Sequence, residues 1–438
     1  MTAEIAILNK LAVALATDST VTVSVGAQEH KTYDSADKLF DLSHHNPIGI
    51  MIYNGLQFME APLQTLIAEF RTHCEEFRTV KEAAYGFLDF LNSWGASSPP
   101  SVLRNSLENL ISPAFAYLKK RVADRQYELF ASNDYENLET RLAEIPLLVV
   151  TEYLQALSEF EPSSFVGGLP PKITKQRGAI ISEIVESAWG QTTPAVKRIL
   201  ISIVKKLIKV RLPSQNQTGI VIAGFGSDEK FPSLISFTID GVIFDKLRFN
   251  EKDFVDIDRA GDNARVMPFA QKEMVDRFLY GLDAEIEIEI ASWSEQAVKE
   301  ISNELIGALQ LTASHKEQLI KKARDAEQTF IDALTKKRFE EIRNSSRSSI
   351  ESMVEFMPKP ELARMAEALV NLASLKKRVS RGMDTVGGPI DVAVISRAEG
   401  FIWVKRKHYF DAQTNPRYLS RINDAKSRSN QHMKGAEE

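Results

Sequence analysis

Thr2-Ala-Glu-Ile-Ala-Ile-Leu-Asn-Lys-Leu-Ala-Val-Ala-Leu-Ala-Thr-Asp18-Ser19 is the stretch on which the fold turns. Ile5, Ile7, Leu11, Val13 and Leu15 alternate with small or polar residues. A period of two puts alternate side chains on one face of a strand. Asn9 and Lys10 fall between the two runs and suit a tight turn, so the stretch predicts a β-hairpin. Val21 to Val25 continues in β-type residues, and Pro47 to Tyr53 predicts another apolar strand, ended by Asn54-Gly55.

Beyond Gly55 the period changes. Leu63, Leu66, Ile67 and Phe70, then Phe87, Leu88, Leu91 and Trp94, fall at helical spacing. Ser97-Ser98-Pro99-Pro100 is a break, and helical patterning resumes from about Val102 to Val210, interrupted at Pro146 and by the loop Gly167 to Pro171. Strands return at Thr218 to Ala223 and Leu234 to Ile239. Asp240-Gly241 reads as a hairpin turn, with Val242 to Phe244 as the return strand. Phe269 to Leu282 reads as a helix, the alternating Glu285 to Ile290 as a half-exposed strand, and Ser294 to Arg347 and Pro360 to Val379 as helices. Gly387-Gly388-Pro389 leads into a strand over Ile390 to Ile395, and Phe401 to Val404 follows. The polar tail from Asp411 is expected to be mobile.

With 438 residues, 44% of them hydrophobic, the chain can bury a large core. Its net charge of -5 gives no global signal for nucleic acid. The single cysteine, Cys74, excludes an intrachain disulfide and reads as a buried or half-buried thiol. No signal peptide pattern opens the chain, and no uninterrupted apolar run of about 18 residues suggests a membrane span. Val196 to Leu212 reads as an amphipathic helix with a basic outer face. Lys405-Arg406-Lys407-His408 is a basic cluster ending a strand. His44-His45 lacks accompanying residues at metal-ligand spacing, and there is no Walker A motif.

Three segments resemble the proteasome β-subunit family and its simpler bacterial relatives. Thr2-Ala-Glu-Ile-Ala-Ile with Leu11 to Ser19 is similar to the family's opening hairpin. Ser35-Ala-Asp-Lys38-Leu-Phe-Asp-Leu with Pro47-Ile-Gly-Ile-Met resembles the strand of the active-site lysine. Gly387-Gly-Pro-Ile-Asp-Val-Ala-Val-Ile395 resembles the last core strands. A weaker match covers Gly219 to Phe225 with Pro232 to Gly241, and all together span well under half of the chain. The resemblance implies an α+β fold, a four-layer αββα sandwich of the N-terminal-nucleophile hydrolases. Its core would be split into 1–58, 217–290 and 359–410, with helical insertions over 59–216 and 291–358 and a tail over 411–438.

The implied activity is cleavage of peptide or other amide bonds by Thr2 once Met1 is removed. A threonine at a mature N-terminus carries a hydroxyl and an α-amine of pKa about 7.7 to 8.0, neutral often enough to serve as the base for that hydroxyl. A lysine nearby favours the deprotonated hydroxyl and lowers the amine pKa, and a carboxylate holds the lysine. Lys38 and Asp18 match those two positions. The oxyanion donors map to backbone N–H groups near Tyr53 and Gly55. Asp262 stands where the family has a supporting serine. In the late Asp-x-x-Ser-Gly motif, Asp384 is displaced by one residue and Val386 replaces the serine. The expected partners are a peptide or protein substrate, further copies in a homo-oligomer, and a protein partner or unfoldase. No metal, cofactor, nucleic acid or membrane is expected, and the implied location is the cytoplasm. Two alternatives stand beside this reading: an amidase or acylase acting on a small substrate, and an inactive scaffold whose helical insertions bind a partner.

Overall fold

The computed structural model describes residues 3–25, 29–131, 137–214, 217–258, 261–309, 312–379, 386–411, 414–418 and 420. In chain order the strands are β1 (Ala3–Asn9), β2 (Val13–Thr17), β3 (Val21–Val25), β4 (Glu29–Tyr33), β5 (Leu39–Asp41), β6 (Ile48–Tyr53), β7 (Gln57–Phe58), β8 (Ala61–Pro62), β9 (Ser164–Phe165), β10 (Thr218–Gly224), β11 (Ser233–Ile243), β12 (Lys246–Asp256), β13 (Ala264–Ala270), β14 (Asp391–Ser396) and β15 (Gly400–Lys405). The α-helices are α1 (Leu63–His73), α2 (Val80–Ala96), α3 (Pro100–Ala131), α4 (Leu138–Ala156), α5 (Lys175–Trp189), α6 (Pro194–Lys209), α7 (Glu273–Tyr280), α8 (Ala284–Ala308), α9 (Ala313–Asp332), α10 (Phe339–Val354) and α11 (Lys359–Val379). The fold is mixed α+β with antiparallel strand pairing. The chain divides into two compact units, one from Met1–Asp37 and Asp256–Asp411, the other from Lys38–Val255 and Ala412–Glu438.

In the first unit a five-stranded sheet runs in the order β13-β1-β2-β14-β15, every neighbouring pair antiparallel. Ala3, Ile5, Ile7, Ala14, Ala16 and Val392 form one face, packed with Leu362, Ala366 and Val370 of α11 and Val275 and Leu279 of α7. Asn9 builds the first turn: its Oδ1 accepts the N–H groups of Leu11 (2.9 Å) and Ala12 (3.2 Å). Its Nδ2 donates to the carbonyls of Val354, the last residue of α10, and Met357, just beyond it, each at 2.9 Å, which ties the turn to the end of that helix. The outer strand β15 is interrupted by a register shift opposite Val392/Ala393 and closed by Lys405, two devices that discourage edge-to-edge pairing.

In the second unit a six-stranded sheet runs β5-β6-β10-β11-β12-β9. Ile50, Ile52, Ile220, Ile222 and Phe237 carry its main core, covered by α1 and α2 through Leu66, Phe70, Phe87 and Leu91. A further cluster joins α3 to α6 around Leu107, Ile111, Val149, Ile181, Leu200 and Val204. Arg248, fully buried on β12, donates to Asp240 Oδ2 at 2.6 Å, to the Leu212 carbonyl at 2.7 Å and to the Val210 carbonyl, fastening the segment after α6 onto the sheet.

Four sequence expectations give way. Asp240-Gly241 is not a turn: β11 runs unbroken to Ile243, and the chain reverses at Phe244, where φ is 62°. Asp240 instead spends its carboxylate on Arg248, Ser214 and Gln217. Glu285 to Ile290 opens helix α8 rather than forming a strand. Asp283 caps it by accepting from Ile286 N–H at 3.0 Å, and glutamates in the first turn suit the positive end of the helix dipole. Phe269 and Ala270 close strand β13, so the expected helix begins only at Glu273. Pro146 lies inside α4, which continues through it. The apolar side of the expected basic helix, α6, is buried against α4 and its neighbours. Most of the polar tail lies outside the described residues. No helix among those described is long and apolar enough to cross a membrane.

Candidate active site

The hairpin delivers Asp18 to the start of β1. The register that pairs Glu4 with Thr17 carries Asp18 opposite Ala3, and the two residues are tied twice: Asp18 N–H donates to the Ala3 carbonyl at 3.1 Å, and Ala3 N–H donates to Asp18 Oδ1 at 3.2 Å. The other carboxylate oxygen accepts from Gly387 N–H at 3.0 Å and, at 3.4 Å, from Thr20 N–H. Asp18, Ser19 and Thr20 are all buried. Asp18 and Ser19 therefore form an interior polar node against Ala3, the residue that follows the candidate nucleophile Thr2, which itself lies outside the described residues.

Loop 386–390 closes over this node. Ser19 N–H donates to the Gly387 carbonyl at 3.1 Å and Ser19 Oγ to the Pro389 carbonyl at 2.5 Å. Thr20 Oγ1 donates to Asp34 Oδ1 at 2.9 Å, and Ala36 N–H to the Ser19 carbonyl at 2.9 Å. Gly388 has φ of 72°, and a Cβ there would stand 2.8 Å from the Asp34 carbonyl oxygen, so only glycine fits.

Lys38 belongs to the second unit. It precedes β5 and is buried to 1% exposure, a condition lysines rarely accept. Its carbonyl accepts from Ile52 N–H at 2.9 Å, which sets it beside the end of β6 and hence beside Tyr53. The Tyr53 ring lies over the neighbouring strand: a Cβ on Gly219 would fall 2.0 to 2.3 Å from its ring carbons. Gly55 is half-buried and follows Asn54, whose φ is 67°.

Of the supporting residues, Asp262 sits ahead of β13, its Oδ2 engaged by Arg265 Nε at 2.9 Å and its second terminal nitrogen at 2.8 Å. Arg265 also reaches Glu351 at 3.6 Å, whose carboxyl burial pushes above its ordinary range. Asp384 lies outside the described residues; Val386, two positions on, is buried. The structure thus brings Asp18 together with Ala3 and Gly387, and Lys38 together with the Tyr53 strand end. Asp262 has a local partner of its own.

Sequence reasoning passed over two buried polar groups near the hairpin. Glu4 is fully buried and accepts from Thr17 Oγ1 at 3.2 Å. Asp391 is buried at the start of β14; it accepts Lys407 N–H at 2.8 Å and pairs with the Lys407 ammonium, which reaches Asp37 at 3.3 Å. Alternation alone would have turned Glu4 to solvent, and only its place between two paired strands signals burial. Among the described residues no His, Cys, Asp and Glu side chains gather as a metal site would require.

No family model and no curated protein matches the chain. Among solved structures it is similar to Anbu (Gly-1 mutant) from Hyphomicrobium sp. strain MC1, at 9% identity over 98% of this chain and 97% of that one, with a TM-score of 0.26.

Proposed function

We propose that this chain is an N-terminal-nucleophile hydrolase of the four-layer αββα class that cleaves peptide or other amide bonds through Thr2 after loss of Met1. The observation that carries the reading is the buried Asp18 carboxylate, which grips the peptide N–H directly after Thr2 and the Gly387 loop together. Such a grip fixes the first residue of a strand that would otherwise fray, and preorganisation of that kind is what a nucleophile at a chain terminus needs. The burial of Lys38 beside the Tyr53 strand end lends separate support, because a desolvated lysine is a costly residue to keep without a task.

In the proposed reaction the Thr2 hydroxyl attacks the amide carbonyl while the Thr2 amine takes its proton. That proton passes to the leaving amine as the C–N bond breaks, and water then hydrolyses the resulting ester by the same route. The Lys38 ammonium holds the Thr2 amine pKa down, and backbone N–H groups near Tyr53 and Gly55 stabilise the oxyanion. Asp262 and Asp384 stand in the supporting positions. Further copies of the chain and a protein unfoldase are the partners this reading proposes.

The test is the intact mass of the purified protein before and after incubation with a peptide epoxyketone or a β-lactone. Loss of Met1 with one adduct, localised to Thr2 and absent in Thr2→Ala, is the expected result. Retention of Met1 in protein from its native host would overturn the mechanism. In that case, a Thr2→Ala chain that keeps its cellular role would put the scaffold reading ahead.

A further inference from the structure

Helix α8 presents a face that none of the described residues covers. At 100° per residue, Ile290, Trp293, Ala297, Ile301 and Leu305 fall on one stripe about 22 Å long. Trp293 is 71% exposed, Ile301 58% and Leu305 63%. The opposite side of the helix is the one turned to α9: Asn303 and Ile306 line a cleft of about 640 Å³ with Ile320 and Arg324. The stripe is therefore not the surface that α8 packs against α9. A contiguous row containing an exposed Trp and branched aliphatics is the kind of patch that marks a protein contact.

Charge selects the occupant. The helix carries six glutamates and one lysine. Glu289 and Glu300 border the stripe and Glu304 lies within it; all three are exposed, and among the described residues none pairs with a lysine or arginine. Glu295 and Glu287, on other sides, are already matched by Lys299 and Arg343. A second copy docking α8 against α8 would set glutamates against glutamates, and an anionic lipid surface would meet the same repulsion. We propose that the α8 stripe is a docking surface for a basic amphipathic helix of a partner protein, its apolar side on Trp293, Ile301 and Leu305 and its lysines or arginines against Glu289, Glu300 and Glu304. The surface is independent of Thr2, so it stands or falls apart from the hydrolase reading.

The experiment titrates the full chain into a fluorescent amphipathic peptide of leucine and lysine, about 15 residues long to match the stripe, and reads anisotropy. Two variants test the site: Trp293→Ser with Ile301→Ser, and Glu289→Lys with Glu300→Lys and Glu304→Lys. All five positions are exposed, so circular dichroism and urea midpoints should stay native; should the first variant misfold, the second suffices alone. Binding is expected to weaken by about tenfold or more in each. A leucine–glutamate peptide should ignore the native chain and bind the charge-reversed one. The Thr2→Ala chain should bind the basic peptide as the native chain does. Binding weaker than about 100 µM, or binding that both variants retain, would overturn the proposal. So would self-association in sedimentation that Trp293→Ser abolishes, since the occupant would then be a second copy.

Discussion

Replacing Asp18 by Asn keeps the shape of the side chain and removes half of its function. The carboxylate accepts three N–H groups, from Ala3, Gly387 and Thr20, through two oxygens. An amide offers one oxygen and one NH2. Whichever way it turns, a donor faces Ala3 N–H or faces Gly387 and Thr20 N–H, inside a node with no solvent to compensate. Hydrogen bonds to a charged acceptor contribute about 1.5–3 kcal/mol, so Asp18→Asn should cost about 2–3 kcal/mol of stability. Asp18→Ala strands all of those donors and should cost about 3–5 kcal/mol. Urea unfolding measures this directly, as a fall in midpoint at unchanged slope. A second readout separates structure from catalysis: the rate at which a β-lactone labels Thr2. Loosening the anchor next to the nucleophile should slow labelling by about tenfold or more. An Asn variant within about 0.5 kcal/mol of native and labelled at the native rate would refute both steps. A destabilised variant labelled at the native rate would leave Asp18 as a structural pin alone.

The buried Arg248–Asp240 pair should behave as a unit. Arg248→Met alone is expected to cost about 3–5 kcal/mol, and Arg248→Met with Asp240→Leu to recover much of it, because the single change leaves a buried carboxylate uncompensated; equal losses in the single and double variants would contradict this. Gly219→Ala drives a methyl into the Tyr53 ring and should cost about 1–3 kcal/mol. Paired with Tyr53→Ala the two losses should fall short of additivity by about 1 kcal/mol, a double-mutant cycle that urea midpoints can read. The Tyr85 hydroxyl, half-buried and donating to Glu251 at 2.7 Å, is pushed up to about 12 from its ordinary value of 10 by partial burial and by that carboxylate. Its folded pKa is thus raised, so its contribution to stability is complete below pH 10 and is lost as pH rises from 10 through about 12. Urea midpoints of the native chain should therefore fall more steeply over that window than those of Tyr85→Phe.

What the sequence reveals follows from which signals are local. The β1–β2 hairpin is legible because alternation, Asn9 and a short turn all lie within 15 residues. Helices α1 and α2 are legible because Leu63, Leu66, Ile67 and Phe70, and then Phe87, Leu88 and Leu91, are all buried at the spacing that predicted them. Asp240-Gly241 misleads because a strong turn dipeptide is outbid by a distant partner: Asp240 is needed for Arg248, and Gly241 passes its chain by Ser106 at a φ of 133°. The real reversal, at Phe244-Asp245, has no turn composition to announce it; the Arg177 guanidinium, 4.9 Å over the Phe244 ring, covers the bend instead. In Glu285 to Ile290 the alternation is real but the period of two never reaches a sheet. Wrapped into a helix it scatters its isoleucines, leaving Ile288 exposed and Ile286 only half-buried. The decisive residue there is Asp283, a cap that stands outside the alternating run.

The candidate site divides along the same line. Once the turn at Asn9 is placed, hairpin register is arithmetic: pairing Ile7 with Ala14 and Glu4 with Thr17 forces Asp18 beside Ala3, so the carboxylate's position next to the peptide after Thr2 was already written in the loop length. Gly387 was not. It arrives from 369 residues away, and nothing in Gly-Gly-Pro specifies the acceptor its N–H will find. Yet the two glycines are intelligible afterwards, because Gly388 must pass the Asp34 carbonyl with a left-handed backbone and Gly387 must bring its N–H to a carboxylate already claimed by Ala3. A buried anion that binds three N–H groups from three parts of the chain cannot be satisfied by any one of them alone. The hairpin therefore supplies the position of Asp18 and the late loop supplies its rigidity. A variant that lengthens loop 386–390 by one residue should leave the hairpin paired while releasing the carboxylate's second oxygen, and hydrogen exchange at Ala3 and Ile5 would distinguish the two contributions.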